Sequence, residues 1–181
     1  MVRPDVRSGQ LFGIVDGMGH RIFVAKDAFK FSCAHMTVFP DGSKERLHGH
    51  NYFIELSVEL EDVSFAKLVD FGPLKRTVAQ LCVEWKERVL LARSNPHFTI
   101  VREDADEFEF TLCGKRYVLP TEDVLVLPID NIVVERLAEH SADRLADQIA
   151  PGPATGGGPL TGFEVTVTES PGQGARHYRS V

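Results

Sequence analysis

Alternating apolar and polar positions predict two long strands in the first third of the chain. From Arg21 the sequence is rich in aromatic and β-branched residues, which is typical of a strand. The later half of this stretch alternates, so one face carries Phe29, Phe31, Cys33 and His35. A second stretch, roughly residues 48–60, alternates more regularly, and its apolar face carries Tyr52, Ile54, Leu56, Val58 and Leu60. Pro40 and the Asp41-Gly42 pair lie between the stretches and predict a turn that makes the two strands antiparallel.

Helical periodicity follows, in two segments. Asp70 and Pro73 are suited to a helix start, and apolar residues then recur at helical spacing to about Leu91. Ser94, Asn95 and Pro96 end this helix. Asp130 and Asn131 precede a second helix, whose core candidates are Val134, Leu137, Ala138, Leu145 and Ile149.

The remaining pattern predicts more β-structure and completes the fold class. Residues 98–120 read as an inserted β-hairpin, with Phe108, Phe110 and Leu112 alternating before a turn at Cys113-Gly114. Residues 151–162 are rich in glycine and proline and predict a linker before a strand at residues 163–169 and a short last strand near Tyr178. Residues 1–10 read as a loose lead-in. The order of elements predicts one α+β domain over residues 1–181, in which an antiparallel four-stranded sheet carries two helices on one face.

Composition narrows the functional classes. The formal charge of −6 among 181 residues argues against a general nucleic-acid binder, because phosphate backbones require clustered lysine and arginine. No apolar run approaches the roughly 18 residues that a membrane-spanning helix needs. The three cysteines form no close pair, which fits reduced thiols. Together these features predict a cytoplasmic protein that binds neither nucleic acid nor membrane and can still hold a small anionic ligand.

Histidines on the two strands predict a metal site. His48 and His50 are two residues apart, so on an extended strand both imidazoles point to the same face. They share the parity of the apolar residues, and His35 ends the apolar face of the preceding strand. Neutral imidazole suits zinc, and a catalytic zinc commonly uses three protein ligands and one open position. The sequence therefore predicts a zinc ion held by His35, His48 and His50.

These motifs resemble those of the 6-pyruvoyl-tetrahydropterin and 6-carboxy-tetrahydropterin synthase family. The resemblance rests on residues 31–35, on residues 47–52 with the signature His-Gly-His-Asn-Tyr, and on the strand end at Glu169. It implies a tunnelling fold (T-fold), a homohexamer built as a dimer of trimers, active sites between subunits, and a zinc ion held by the three histidines. It also implies a pterin substrate, usually 7,8-dihydroneopterin triphosphate, with Glu169 as the carboxylate that anchors the pterin.

Two departures from the family pattern bear on catalysis. The loop before the signature usually carries a cysteine that serves as a base, and here this loop has none. Some relatives place a glutamate there, which makes Glu45 the best candidate for the base. The usual Asp-His pair after the first helix is also missing, and His97 and His140 are candidate replacements for its histidine, with His97 preferred. Glu135, early in the second helix, is a candidate substrate contact, although a favourable helix-dipole position explains it more simply.

Three functions are consistent with these residues and with the resemblance. The leading hypothesis is a zinc-dependent lyase that abstracts a proton and eliminates triphosphate from dihydroneopterin triphosphate. A different base could instead direct retro-aldol cleavage of the pterin side chain to 6-hydroxymethyl-dihydropterin. The missing cysteine and Asp-His pair also allow a zinc-stabilised pterin-binding protein without turnover.

Overall fold

The computed structural model describes residues 19–149 and 160–181. The predicted lead-in at residues 1–10 and most of the predicted linker lie outside this range. The last residues assigned to the linker, 160–162, belong instead to a strand. The elements are strands β1 (His20–His35), β2 (His48–Leu60), β3 (Arg88–Ala92), β4 (Phe98–Glu103), β5 (Glu107–Leu112), β6 (Lys115–Pro120), β7 (Val124–Leu127), β8 (Leu160–Ser170) and β9 (Gln173–Ser180), and helices α1 (Gly72–Trp85) and α2 (Val134–Ile149).

The main sheet has six strands in the order β7-β3-β1-β2-β8-β9. Strands β1, β2, β8 and β9 pair antiparallel and form the predicted four-stranded unit. Strands β3 and β7 extend this unit beyond β1, and both pairings there are parallel. The predicted fold class is therefore confirmed, with two short strands added at one edge.

Strand β3 corrects the predicted extent of the first helix. Helix α1 ends at Trp85, six residues before the predicted end at Leu91, and the apolar run that follows is β3. Leu90 packs in the core under the helices, whereas Leu91 packs in a second core on the opposite face of the sheet. Because both faces of β3 are covered, its sequence does not alternate and resembles a continuing helix.

Both helices cover one face of the main sheet, as predicted. The buried stripe of α1 consists of Leu74, Val78, Leu81, Cys82 and Trp85, which recur at helical spacing. Helix α2 buries the predicted residues Val134, Leu137, Ala138 and Leu145 in the same core, and the side chain of Ile149 lies outside the described part of the chain. Neither helix is long and apolar enough to cross a bilayer, within the part of the chain that the structure describes. The apolar residues that alternate along β1, β2 and β8 point toward the helices. They pack against the apolar stripes of α1 and α2 and form one core with them.

The inserted segment is larger than the predicted hairpin. Strands β5 and β6 form that hairpin, and β4 adds a third strand on the outer side of β5. This small sheet packs on the face of β3 and β7 that the helices leave open. It forms the second core with the segment that follows His35, through Met36, Val38, Leu91, Phe98, Phe108, Phe110, Leu112 and Val124.

The core assignment predicts a large difference between two neighbouring positions of α1. Leu81 is fully buried, whereas Val83 is 75% exposed. Leu81→Ala should lower the free energy of unfolding by about 2–5 kcal/mol, because it removes buried methyl groups and leaves a cavity. Val83→Ala should change it by less than about 0.5 kcal/mol. Denaturant unfolding at a fixed protein concentration measures both, and equal losses would contradict this packing.

Candidate active site

The register of β1 and β2 brings the three predicted metal ligands together. His35 pairs with His48 across the strands, and Cys33 pairs with His50. The pairing of β1 with β2 is irregular between Ala25 and Lys30. Before this irregularity the even-numbered residue Val24 is buried, and after it the odd-numbered residues are buried. The extra residues in β1 therefore turn His35 onto the same face as His48 and His50.

The three imidazoles form a compact group at one end of the sheet. Their ring centroids are 4.6 Å apart for His35 and His48, 5.4 Å for His35 and His50, and 4.9 Å for His48 and His50. One nitrogen from each ring lies within 4.8 Å of the others. Across residues 19–149 and 160–181, no other set of histidine, cysteine and carboxylate side chains is grouped closely enough to hold a metal ion.

Backbone carbonyls fix the tautomers of two of these rings. Nδ1 of His35 lies 3.0 Å from the carbonyl oxygen of Ile132, and Nδ1 of His48 lies 2.8 Å from that of Arg46. A carbonyl oxygen can only accept, so both Nδ1 atoms must carry the proton and donate it. Nε2 then keeps its lone pair in both rings. Metal-binding histidines are commonly oriented in this way, so the donor set fits a zinc ion.

Burial keeps the His35 ring neutral. His35 is only 3% exposed, and burial, followed by the neighbouring His48, lowers its pKa to about 4. His35 is therefore an uncharged imidazole at neutral pH, which is the form that binds metals. Burial also raises the pKa of Cys33 to about 12. Cys33 remains a protonated thiol packed in the core, so it is a poor candidate for a fourth ligand.

The loop between β1 and β2 places Glu45 beside this group. Oε2 of Glu45 lies 3.8 Å from Nε2 of His48, the nitrogen that is free to bind a metal. The loop is closed by a backbone bridge between Val38 and Lys44, and the amide of Glu45 donates to the carbonyl of Thr37 at 2.9 Å. A carboxylate held next to the open side of the histidine group is well placed to accept a proton.

Tyr52 connects the histidines to Glu169, and the sequence did not single it out. Its hydroxyl oxygen lies 3.1 Å from Nε2 of His35. Burial, followed by Cys33 and Glu169, raises the pKa of Tyr52 well above its usual range, so the phenol stays protonated. The shared parity of Tyr52 with His48 and His50 was the signal that could have identified it.

Glu169 lies where the pairing of β8 and β9 shifts register, between Thr168 and Ser170. Such irregularities re-aim a side chain, and they are common next to active sites. Gln173 donates a hydrogen bond to the Glu169 carboxylate. Glu169 is half-buried and still has acceptor capacity for a ligand.

His97 and Glu135 lie in a different place from the histidine group. Both are exposed, and they line an open cleft of about 550 Å³ with Phe39, Pro40 and Asn131. His97 packs against Gly42, whose φ of +80° favours glycine at the turn of the loop. The loop that carries Glu45 therefore has the histidine group at one end and this cleft at the other.

Comparison with known proteins identifies the class to which this fold and site belong. The family model described as 6-pyruvoyl tetrahydropterin synthase matches residues 24–180. A Methanocaldococcus jannaschii protein, provisionally named as a 6-carboxy-5,6,7,8-tetrahydropterin synthase, is 31% identical over 147 residues, which cover 81% of this chain and 87% of that protein. The sheet and the helices are thus those of a T-fold tetrahydropterin synthase. This chain belongs to the 6-pyruvoyl tetrahydropterin synthase family.

Solved structures support the same assignment. The 6-pyruvoyl tetrahydropterin synthase of Plasmodium vivax superposes with a TM-score of 0.80 at 29% identity, covering 90% of this chain and 99% of that one. The enzyme of Plasmodium falciparum gives the same TM-score and coverage at 23% identity, which supports the fold alone. Variants of the P. vivax enzyme, in which a catalytic glutamate is replaced by alanine or cysteine, also superpose with a TM-score of 0.79.

The histidine group predicts the consequence of removing one ligand. His48→Ala should reduce bound zinc from about one ion per chain to a small fraction, because the remaining pair leaves the ion short of ligands. His20→Ala is the matched control, since His20 is an exposed histidine at the other end of β1, and it should keep full zinc content. Elemental analysis after dialysis measures both, and stoichiometric zinc in His48→Ala would rule out this assignment.

Proposed function

We propose that this protein is a zinc-dependent lyase that acts on 7,8-dihydroneopterin triphosphate by proton abstraction and triphosphate elimination. The observation that carries the proposal is the Glu45 carboxylate 3.8 Å from the free nitrogen of His48, within a three-histidine group. Membership in the tetrahydropterin synthase family supports a pterin as the substrate class.

His35, His48 and His50 would hold the zinc through ring nitrogens. When bound, zinc acts as a Lewis acid that polarises side-chain hydroxyls of the substrate and makes an adjacent proton easier to remove. The carbonyls of Ile132 and Arg46 hold two of the rings in the tautomer that this requires. The protein thus orients the ligands before substrate arrives.

Glu45 is the proposed base. Its side chain is 44% exposed, so it can reach a substrate from the open side of the site. A catalytic glutamate in the P. vivax relative supports a carboxylate in this role. The proton would move from the substrate side chain to a carboxylate oxygen of Glu45, and electrons would then shift to expel the triphosphate.

Glu169 is the proposed anchor of the pterin ring. A carboxylate can accept two hydrogen bonds, one from the pterin amino group and one from the adjacent ring N–H. Tyr52 contacts His35, and Glu169 lies close enough to raise the pKa of Tyr52, so the proposed anchor is near the metal site. When Glu169 holds the pterin ring, the side chain of the substrate is placed near Glu45, where proton transfer can occur.

His97 and Glu135 are proposed as outer contacts. They line one cleft beside the loop that carries Glu45, so they could meet the substrate where it leaves the histidine group. His97 remains the candidate for the histidine of the missing Asp-His pair, and Glu135 for a polar substrate contact.

A homohexamer with active sites between subunits is proposed for the assembly. Strands β7 and β9 form the two edges of the main sheet in the described part of the chain. Edge strands carry backbone groups free to pair with another subunit, and closure into a ring would cover them. A cytoplasmic location is part of the same proposal.

Retro-aldol cleavage to 6-hydroxymethyl-dihydropterin is the second candidate function. The observation that favours it is the carboxylate base, because Glu45 stands where most relatives are expected to carry a thiol. The two bases differ in basicity and geometry, so they can remove different protons of the same side chain.

The reaction products separate these possibilities. Zinc-loaded protein should release triphosphate from dihydroneopterin triphosphate and leave a pyruvoyl or carboxy product, identified by mass spectrometry. A 6-hydroxymethyl product would establish the second function instead. Substrate that binds but is recovered unchanged would contradict both reactions and indicate a binding protein.

Replacing the proposed base should stop turnover without releasing the metal. Glu45→Gln keeps the shape of the side chain and should lower kcat by about 100-fold or more, because general base catalysis typically contributes that much. Zinc content should not change. The matched control is Glu55→Gln, an exposed glutamate on the opposite face of β2. A Glu45→Gln rate within threefold of the parent would exclude Glu45 as the base.

A further inference from the structure

Besides the apolar contacts of Val38 in the second core, the inserted sheet of β4, β5 and β6 contacts the loop that carries Glu45 through a cation. The ammonium of Lys44 lies 5.3 Å from the centre of the Tyr117 ring, and Tyr117 belongs to β6 of the insertion. Tyr117 itself stacks on Phe110 with ring centroids 5.0 Å apart and an interplanar angle of 11°. The aromatic surface that receives Lys44 is therefore fixed by the second core.

Lys44 transmits this contact to the backbone of Glu45. Its Nζ donates to the carbonyl oxygen of Glu45 at 3.0 Å and lies 3.4 Å from Sδ of Met36. Among the residues that the structure describes, no carboxylate oxygen lies within 4.0 Å of this ammonium. Its partners are thus an aromatic face, a thioether and one carbonyl, and only the carbonyl belongs to the proposed active site.

Both backbone polar groups of Glu45 therefore have a hydrogen-bond partner. Its N–H donates to Thr37, and its carbonyl accepts from Lys44. With both groups bonded, the Cα–Cβ direction of Glu45 is restricted, and so is the position of its carboxylate beside His48. Loss of the Lys44 bond would leave the carbonyl free to rotate toward water and would let the carboxylate move.

We propose that Tyr117 and Lys44 are positioning residues for Glu45, and that the inserted sheet acts in the reaction by holding the base in place. This inference rests on the proposed role of Glu45. Neither residue needs to touch the substrate. Their effect should therefore appear in kcat, because a misplaced base slows proton transfer while the pterin anchor and the metal ligands are unchanged.

The first test replaces the aromatic ring. Tyr117→Leu removes the face that attracts Lys44 and keeps an apolar side chain, and it should lower kcat about threefold to tenfold, in the range expected for loss of a cation–π contact. KM and zinc content should stay within twofold. Tyr117→Phe retains the ring and should recover most of the rate. Val118→Ala changes the exposed neighbour on β6 and should have no effect.

The second test does not depend on turnover. Amide hydrogen exchange of zinc-loaded protein should show the Glu45 amide exchanging about threefold to tenfold faster in Tyr117→Leu, while the amides of β2 from Ile54 onward keep their protection. Lys44→Met should reproduce both effects, and Lys44→Arg should partly restore the parent behaviour. These two variants keep the proposal testable if Tyr117→Leu fails to fold.

The outcomes separate the inference from the function on which it rests. Unchanged exchange at Glu45 in both Tyr117→Leu and Lys44→Met would overturn the positioning role, whatever the rate. An increase in KM with unchanged kcat would overturn it as well. Faster exchange at Glu45 in a protein that turns over no pterin would support the positioning contact and would contradict the proposed reaction instead.

Discussion

The pairing of β1 with β2 is the constraint on which the site depends. A sheet register is discrete, and a slip of one residue would turn every side chain of a strand to the opposite face. The observed register places His35 opposite His48, and the irregularity after Ala25 turns the odd-numbered residues of β1 to the face that holds the even-numbered residues of β2. The apolar residues further along β1 and β2 are buried under the helices, so hydrophobic burial enforces the register that the histidines need.

The same register extends the site across the sheet. Ile54 pairs with Val167 of β8, so the next inward positions toward the end of the sheet are Tyr52 and Glu169. The core that holds these strands together therefore also sets the spacing between the histidine group and the proposed pterin anchor. On the other side, the second core supports the loop through Met36 and Val38. The first core thus positions the strands that carry the histidines, and the second core supports the loop that carries Glu45.

The sequence predicted the strands and helices in which one face is buried and the other is exposed, because their apolar residues follow one clear period. Strands with one covered face, such as β2, alternate clearly, and the histidines could be assigned because they follow that alternation. Strand β3 was missed because both of its faces are buried, and β4 was missed because its outer half is exposed and charged. The contact between Lys44 and Tyr117 joins residues 73 positions apart, so no local pattern could have indicated it.

The most direct measurement of the central claim is X-ray absorption at the zinc edge on the metal-loaded protein. The account predicts three imidazole nitrogens at about 2.0–2.1 Å, with an oxygen of water or substrate completing the set. It predicts no sulfur, because Cys33 is a buried, protonated thiol. A sulfur scatterer at about 2.3 Å, or fewer than three imidazoles, would contradict a site built from His35, His48 and His50.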